Sequence, residues 1–350
     1  MTPGHSGKVS ESLSQIERAL TQLWEPDETG RAKARAHTLN LVAVSGGAQS
    51  FLDVADHVAS TLAARTFIVE VDPRAEPWAL EGEVGAVCRY DAGQKGEEVC
   101  AERIELHLGA MVAKRARSII EALSESRLPG VLLLGPGAHA AVVDALAPGC
   151  TRVVFDSAHF GVSRSQRIAQ LAPGHLEDLA FSRGRRWREM IARFFDDPAL
   201  MPAAAGLRSL RIEHVACARE EGMGAEAELL LGWLGARLGW QATPGAIMHD
   251  RHRVQVELHQ RERSDRTLGW IESVALSARL GDGELVGQVS RDPDGEHLSW
   301  SLQTPDGNNY ERHFSVPHRS QTELILRAVT SADGNDLIRE ALHFAAAWRG

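Results

Sequence analysis

The densest run of chemically able side chains is Arg183, Arg185, Arg186, Trp187 and Arg188. Guanidinium forks bind carboxylates and phosphates in bidentate fashion, and arginine beside tryptophan is a common composition at the energetic centre of protein interfaces. The run also reads as an ordinary solvated helix start, but arginines in a first helical turn oppose the helix dipole. That local conflict raises the partner-binding reading of these five residues beside the solvated one. Histidines make a second concentration. His249 and His252 flank Asp250 and Arg251, with His259 close by. The spacing is not the His-Glu-x-x-His of a helical zinc site, and Arg251 and Arg253 would repel a cation, so no metal is expected.

Two glycine loops stand where ligands often bind. Ser45-Gly46-Gly47 follows an apolar run ending at Val44, and Gly135-Pro136-Gly137 follows another ending at Leu134. Each lies between an expected strand and an expected helix, where loop N–H groups attract anions. Neither has dinucleotide-loop or Walker spacing, so tight turns compete with a phosphate site. Asp156-Ser157 closes a third apolar run, at a position that serves active-site acids and turn formers alike. No Gly-x-Ser-x-Gly elbow accompanies Ser45, Ser157 or Ser163. The residues therefore assign no catalytic group and no cofactor.

The four cysteines, Cys88, Cys100, Cys150 and Cys217, contain no Cys-x-x-Cys pair. They read as reduced, mostly buried thiols of a cytoplasmic protein. Cys88 and Cys100 flank the turn 91–96 and form a candidate redox pair if the two strands oppose them. Their unequal distances from the turn leave that pairing open, and inert buried thiols are the simpler expectation.

These residues need scaffolds to position them. A chain of 350 residues exceeds one ordinary core, so two domains are expected. Its 38 basic and 47 acidic residues give a net charge of −9, which argues against a nucleic-acid binder. No basic segment leads into an apolar stretch near the start, and no apolar run approaches the roughly 20 residues that span a bilayer. A membrane partner is not expected, and a cytoplasmic location is.

Residues 1–35 read as an N-terminal helix, with Leu13, Ile16, Leu20 and Leu23 at helical spacing, and a charged linker. Residues 36–160 alternate strands and helices. Continuous apolar strands such as 131–134 imply a Rossmann-like α/β domain with a largely parallel sheet. Residues 161–206 form a helical connector in which Trp187, Ile191 and Phe194 share one face. Residues 207–350 read as an α+β domain. There, alternation such as Leu298, Trp300 and Leu302 and turns such as Gly281-Asp282-Gly283 predict an antiparallel meander. Two C-terminal helices, 321–329 and 335–347, are expected to cover its apolar face.

Several blocks, in order along the chain, resemble the pattern of one known family. The run 35–44, with Asn40 inside it, resembles that family's first strand, and 152–158 resembles its strand ending in Asp156-Ser157. Asp178-Leu179-Ala180-Phe181, Trp187-Arg188-Glu189 and Phe194-Phe195-Asp196 follow its middle pattern, with Phe181 where tryptophan is usual. Leu229 to Leu234 and Leu238-Gly239-Trp240 match a later segment containing Trp233 and Trp240. Together these blocks are similar to the OpcA family of glucose-6-phosphate dehydrogenase assembly proteins, a resemblance that implies a non-catalytic factor that assembles or activates glucose-6-phosphate dehydrogenase in the oxidative pentose phosphate pathway. It carries no catalytic residues, and in some lineages it implies coupling to redox state. The alternative from the residues alone is an α/β sensor of a sugar phosphate or nucleotide, or an uncharacterised enzyme, using the loops after Val44 and Leu134.

Overall fold

The computed structural model describes residues 7–10, 13–24, 34–35, 37–90, 98–215, 224–250, 252–262, 269–316, 319–331 and 336–350. The chain divides into two units, each with its own sheet: a parallel-rich sheet in the first and an antiparallel-rich sheet in the second. The first unit takes Met1–Phe155, Ile168–Leu176 and Gln321–Gly334, and the second takes Asp156–Arg167, Glu177–Ser320 and Asn335–Gly350. The segment 161–206 is thus shared between them.

In the first sheet the spatial order is Gly7–Ser10, Leu80–Tyr90, Glu98–Leu108, Ala64–Val71, Leu39–Val44, Gly130–Leu134, Arg152–Phe155 and His175–Asp178. Neighbours from Glu98–Leu108 through Arg152–Phe155 run parallel. Every residue of Leu39–Val44 is buried, as expected of a strand apolar on both faces with layers above and below. Burying one such leucine or valine side chain is worth about 1.5–3 kcal/mol. The helix Gln49–Leu62 is amphipathic and turns Phe51, Ala55 and Val58 inward.

Both glycine loops lie in this unit and face each other. The Gly46 N–H donates to the Pro136 carbonyl at 2.8 Å, and the Gly135 N–H donates to the Val44 carbonyl at 2.8 Å. A side chain on Gly46 would meet the Gly137 backbone at 3.1 Å, so glycine here permits close backbone approach. These two N–H groups, which an anion would need, are already committed. Asn40, buried within its strand, also serves the fold. Its amide donates to the Glu125 carbonyl at 2.9 Å and accepts from the Glu125 N–H at 3.1 Å, pinning the loop before Gly130–Leu134.

The second sheet has the order Gln241–Thr243, Ala246–His249, His252–Arg261, Leu207–Val215, Ile271–Leu280, Gly283–Arg291, His297–Gln303 and Asn309–Ser315. All neighbours are antiparallel except Leu207–Val215 with His252–Arg261. One face is apolar. Leu210, Ile212, Val274, Leu276, Val289 and Trp300 pack there with Trp187, Ile191 and Phe194 and with the helix Ala225–Arg237. Trp300 stacks on Phe194 at 5.1 Å and donates its indole N–H to the Met190 carbonyl at 3.0 Å, so its one polar group is satisfied.

The C-terminal helices depart from expectation. Only Asp336–Arg349 belongs to the second unit, packed on Ala225–Arg237. Gln321–Thr330 packs in the first unit against Gln49–Leu62 and Arg152–Phe155. The Arg152 guanidinium donates to the Ala328 carbonyl at 3.0 Å and also to the Ser331 carbonyl. Amphipathic periodicity announces a buried face but not which sheet will cover it.

A buried charge cluster as candidate functional site

The site lies within the second unit and begins at Asp156, the residue after the strand Arg152–Phe155. Asp156 opens a turn by accepting from the Ala158 N–H at 3.0 Å. The helix that follows, Ser157–Leu171, kinks at Gly161, whose φ of +70° only glycine adopts freely. Asp178 caps the next helix, Leu179–Arg183, accepting from the Ala180 N–H at 3.0 Å. It also accepts from the Ser157 N–H at 3.1 Å and from the Ser157 hydroxyl, tying the two turns together.

Arg183, at the end of that helix, clamps Asp156 with both terminal nitrogens, at 2.7 and 2.9 Å. Its Nε donates to Glu226 Oε1 at 2.5 Å. Glu226 sits in the first turn of Ala225–Arg237, where a negative charge suits the helix dipole. Two carboxylates thus hold one guanidinium, and a third, Asp178, feels its charge without touching it: Asp156 and Glu226 are 5% exposed and Asp178 is 0% exposed. Burial disfavours ionisation of Asp156, but Arg183 outweighs it and holds its proton affinity below the usual carboxylate range. Burial pushes Glu226 up despite the same arginine. Burial and the charge of Asp156 push Asp178 up to about 7, against its three hydrogen bonds. Arg183, between two carboxylates, is held more firmly protonated than a free arginine. One cation cannot fully compensate three anions, so the proton count of this cluster depends on pH near neutrality.

The arginine run divides around this cluster. Gly184 breaks it, and a new helix, Arg185–Ala192, starts there. Trp187 is 1% exposed, in the core. Arg188 lies 3.6 Å from the Phe181 ring centroid and donates to the Phe181 carbonyl at 2.6 Å, and burial followed by the nearby Arg185 charge lowers its pKa to about 10. Arg185 and Arg186 reach the surface, with side chains 55% and 51% exposed, and both bond Glu189. Of the five predicted partner-binding residues, then, two are about half exposed at the surface, and Arg183 belongs to the carboxylate cluster. Sequence reasoning named Asp178 only as part of a family block, without a site role, and missed Glu226. An aspartate before a short helix is a visible cap signal, whereas Glu226 is joined to Arg183 only by the tertiary fold.

The remaining candidates lie apart. Trp240 is buried in the second unit, and Trp233 is partly buried against the same core. The rings of His249 and His252 stand 5.3 Å apart, and His259 pairs with Glu257 at 3.1 Å. Among the described residues no group of three or more His, Cys, Asp or Glu side chains could hold a metal ion. No described helix is long and apolar enough to cross a membrane. Backbone register sets Cys88 directly across from Cys100. Cys100 is disulfide-bonded, which corrects the reading of four reduced thiols, because an unbroken ladder from Leu80 and Leu108 carries the two strands into opposition. Cys150 is a free thiol, and the Cys88 side chain and Cys217 lie outside the described residues.

Comparison with known proteins decides the family. The sequence model of the glucose-6-phosphate dehydrogenase subunit N-terminal domain, OpcA type, matches residues 55–172, and that of the C-terminal domain matches 174–342. The chain belongs to the OpcA family. A relative from Nostoc punctiforme, provisionally named OxPP cycle protein OpcA, is 28% identical over 287 residues, 80% of this chain and 57% of its own. One of the same name from Synechocystis sp. is 26% identical over 215 residues, 58% of this chain and 43% of its own. The chain therefore spans about half the length of the curated relatives it matches. Among solved structures, a levoglucosan dehydrogenase with NADH and L-sorbose is 11% identical, covering 89% and 96% of the two chains with a TM-score of 0.43. A 3-ketoreductase from Actinomadura kijaniata is 15% identical, covering 89% and 97%, with a TM-score of 0.44.

Within this family the block residues Asp156, Ser157, Asp178 and Phe181 acquire a common meaning here. They are hydrogen-bonded or stacked parts of one buried assembly that holds the helix Arg185–Ala192 in place.

Proposed function

We propose that this chain is a non-catalytic assembly factor and allosteric activator of glucose-6-phosphate dehydrogenase, acting in the oxidative pentose phosphate pathway. The observation that carries the reading is the match to both domains of the dehydrogenase-subunit family, in order, over residues 55–172 and 174–342. The carboxylates nearest to an active-site arrangement support it, since each already accepts hydrogen bonds from the chain itself. An activator of this kind works through differential affinity: it binds the active state of the enzyme more tightly than the inactive one. The exposed Arg185 and Arg186, on a helix anchored by the buried cluster, are the residues we assign to the partner surface, with carboxylates as their counterparts.

The test is a glucose 6-phosphate titration of the dehydrogenase from the same organism, with and without this chain. The reading expects a lower apparent KM or a higher kcat with the chain present, and no NADP reduction by the chain alone. Unchanged kinetics together with separate elution of the two proteins would reject it.

A further inference from the structure

The apolar face of the second unit's sheet is covered, but its other face is open. Register across five neighbouring strands, from Leu207–Val215 to the edge strand Asn309–Ser315, fixes which residues share that open face. The middle rung runs from Arg211 through Ala275, Gln288 and Ser301 to Glu311. The rung on one side carries Ser277, Val286 and Gln303 over the inner three strands, and the rung on the other carries Ser273, Ser290 and Ser299. None of these nine inner positions is charged, although at the chain's 24% charged content about two charges would be expected among them. Val286 is 38% exposed, and Gln288 and Gln303 are exposed as well.

Charges lie on the flanking strands and at the ends of the inner ones, mostly in pairs: Arg279 stands opposite Glu284 one rung beyond, and Asp292 accepts from Ser299 and pairs with His313. Arg211 and Arg261 both bridge to Glu213, and His259 bonds Glu257. On the opposite flank Glu311 and His313 stand exposed. A centre depleted of charge inside a polar rim is the composition that distinguishes interface cores from ordinary surface. Six strands about 4.8 Å apart and three rungs about 6.8 Å apart give roughly 600 Å² in projection per copy. Two such faces reach the lower end of stable interfaces, about 1,200 Å² in total.

We propose that this open sheet face is the contact between two copies of this chain. A twofold contact sets one surface against itself, so the surface must tolerate its own image. A face with a strong net charge would repel its copy. This one is neutral at its centre: Ser277 pairs with Ser209, Ser273 with Glu213 and Ser299 with Asp292, while the exposed Gln288 and Gln303 carboxamides, which both donate and accept, can meet their own copies. Small side chains let two twisted sheets approach closely with aligned packing. This inference does not depend on the dehydrogenase reading, since it concerns the chain alone.

The experiment is size-exclusion chromatography with light scattering of the full chain, over about 1–50 µM, a range that brackets micromolar association. The expected mass is twice the 38.1 kDa of one chain. Gln288→Glu with Ser301→Glu places like charges at the centre and is expected to weaken the dimer at least roughly tenfold. Both positions face outward, so the variant should remain folded at low concentration, with only a small fall in its unfolding midpoint because the two glutamates oppose each other across the strand pair. Gln288→Lys supplies the same test with the opposite charge. A monomer throughout the range overturns the proposal, and so does a dimer that ignores both substitutions. A monomer that instead uses this face to bind the dehydrogenase, losing that contact in the variants, overturns it as well.

Discussion

Arg183 and Arg186 are separated by only three positions, yet they live in different physical regimes. Arg183 is held in a buried assembly by Asp156 and Glu226, while Arg186 stands half in water and shares Glu189 with Arg185. The difference teaches that residue type alone does not say what an arginine is for. A partly buried guanidinium between two buried carboxylates organises the fold, because removing it strands charges that water hardly reaches. An exposed one contributes little to the fold and is free to serve recognition.

The largest expected effect tests the buried side of this contrast. Arg183→Ala should destabilise by about 3–5 kcal/mol in denaturant unfolding, since it leaves Asp156 and Glu226 without their cation. Arg183→Lys keeps the charge but loses the fork to Asp156, and should recover only part of that loss. A change below about 1 kcal/mol for Arg183→Ala would erase the distinction between the two arginines.

A second prediction concerns pH. Asp178 holds its proton more tightly in the folded chain, up to about 7, than in the unfolded one. Its contribution to stability is therefore complete below the ordinary carboxylate range and is lost as pH rises toward about 7. Glu226, also pushed up, acts in the same direction. Asp156 acts in the opposite sense, because its depressed pKa makes its contribution fade only as pH falls below the ordinary carboxylate range. Between about pH 5 and 7 the Asp178 share alone should lower stability by at most about 1.4 kcal/mol per pH unit. Unfolding curves of Asp178→Asn should lack that share, and an unchanged slope would mean that Asp178 is ionised throughout.

A third prediction concerns Cys150, whose thiol is pushed up to about 11 by burial. Native alkylation at neutral pH should label it far more slowly than the unfolded chain, as mass spectrometry can follow. Rapid labelling would contradict the packing around it. The smallest expected effect lies on the exposed side: Arg185→Ala and Arg186→Ala should each shift stability by no more than about 0.5 kcal/mol.

Much of the architecture was legible in the residues. The unbroken apolar run 131–134 announced a strand covered on both faces, and the alternation at Leu298, Trp300 and Leu302 announced one covered on a single face. What escaped depended on contacts distant in sequence. Gln321–Thr330 has a clear amphipathic face, but nothing local says that it returns to the first unit. The Cys88–Cys100 register could not be settled from a turn of unequal arms. At the site, Arg183 was visible as part of a basic run, but its burial was not, because that required Glu226 to arrive 43 positions later. Trp187 looked like an interface anchor, yet it fills the core, since a helix carrying Ile191 and Phe194 on the same face turns all three inward.

The most direct test of the account is the affinity of the dehydrogenase for the Arg185→Glu, Arg186→Glu double variant, measured by isothermal titration calorimetry beside the parent chain. The account predicts binding weakened at least roughly tenfold with the unfolding midpoint nearly unchanged. Undiminished affinity in a folded variant would contradict the assignment of these two arginines to the partner surface.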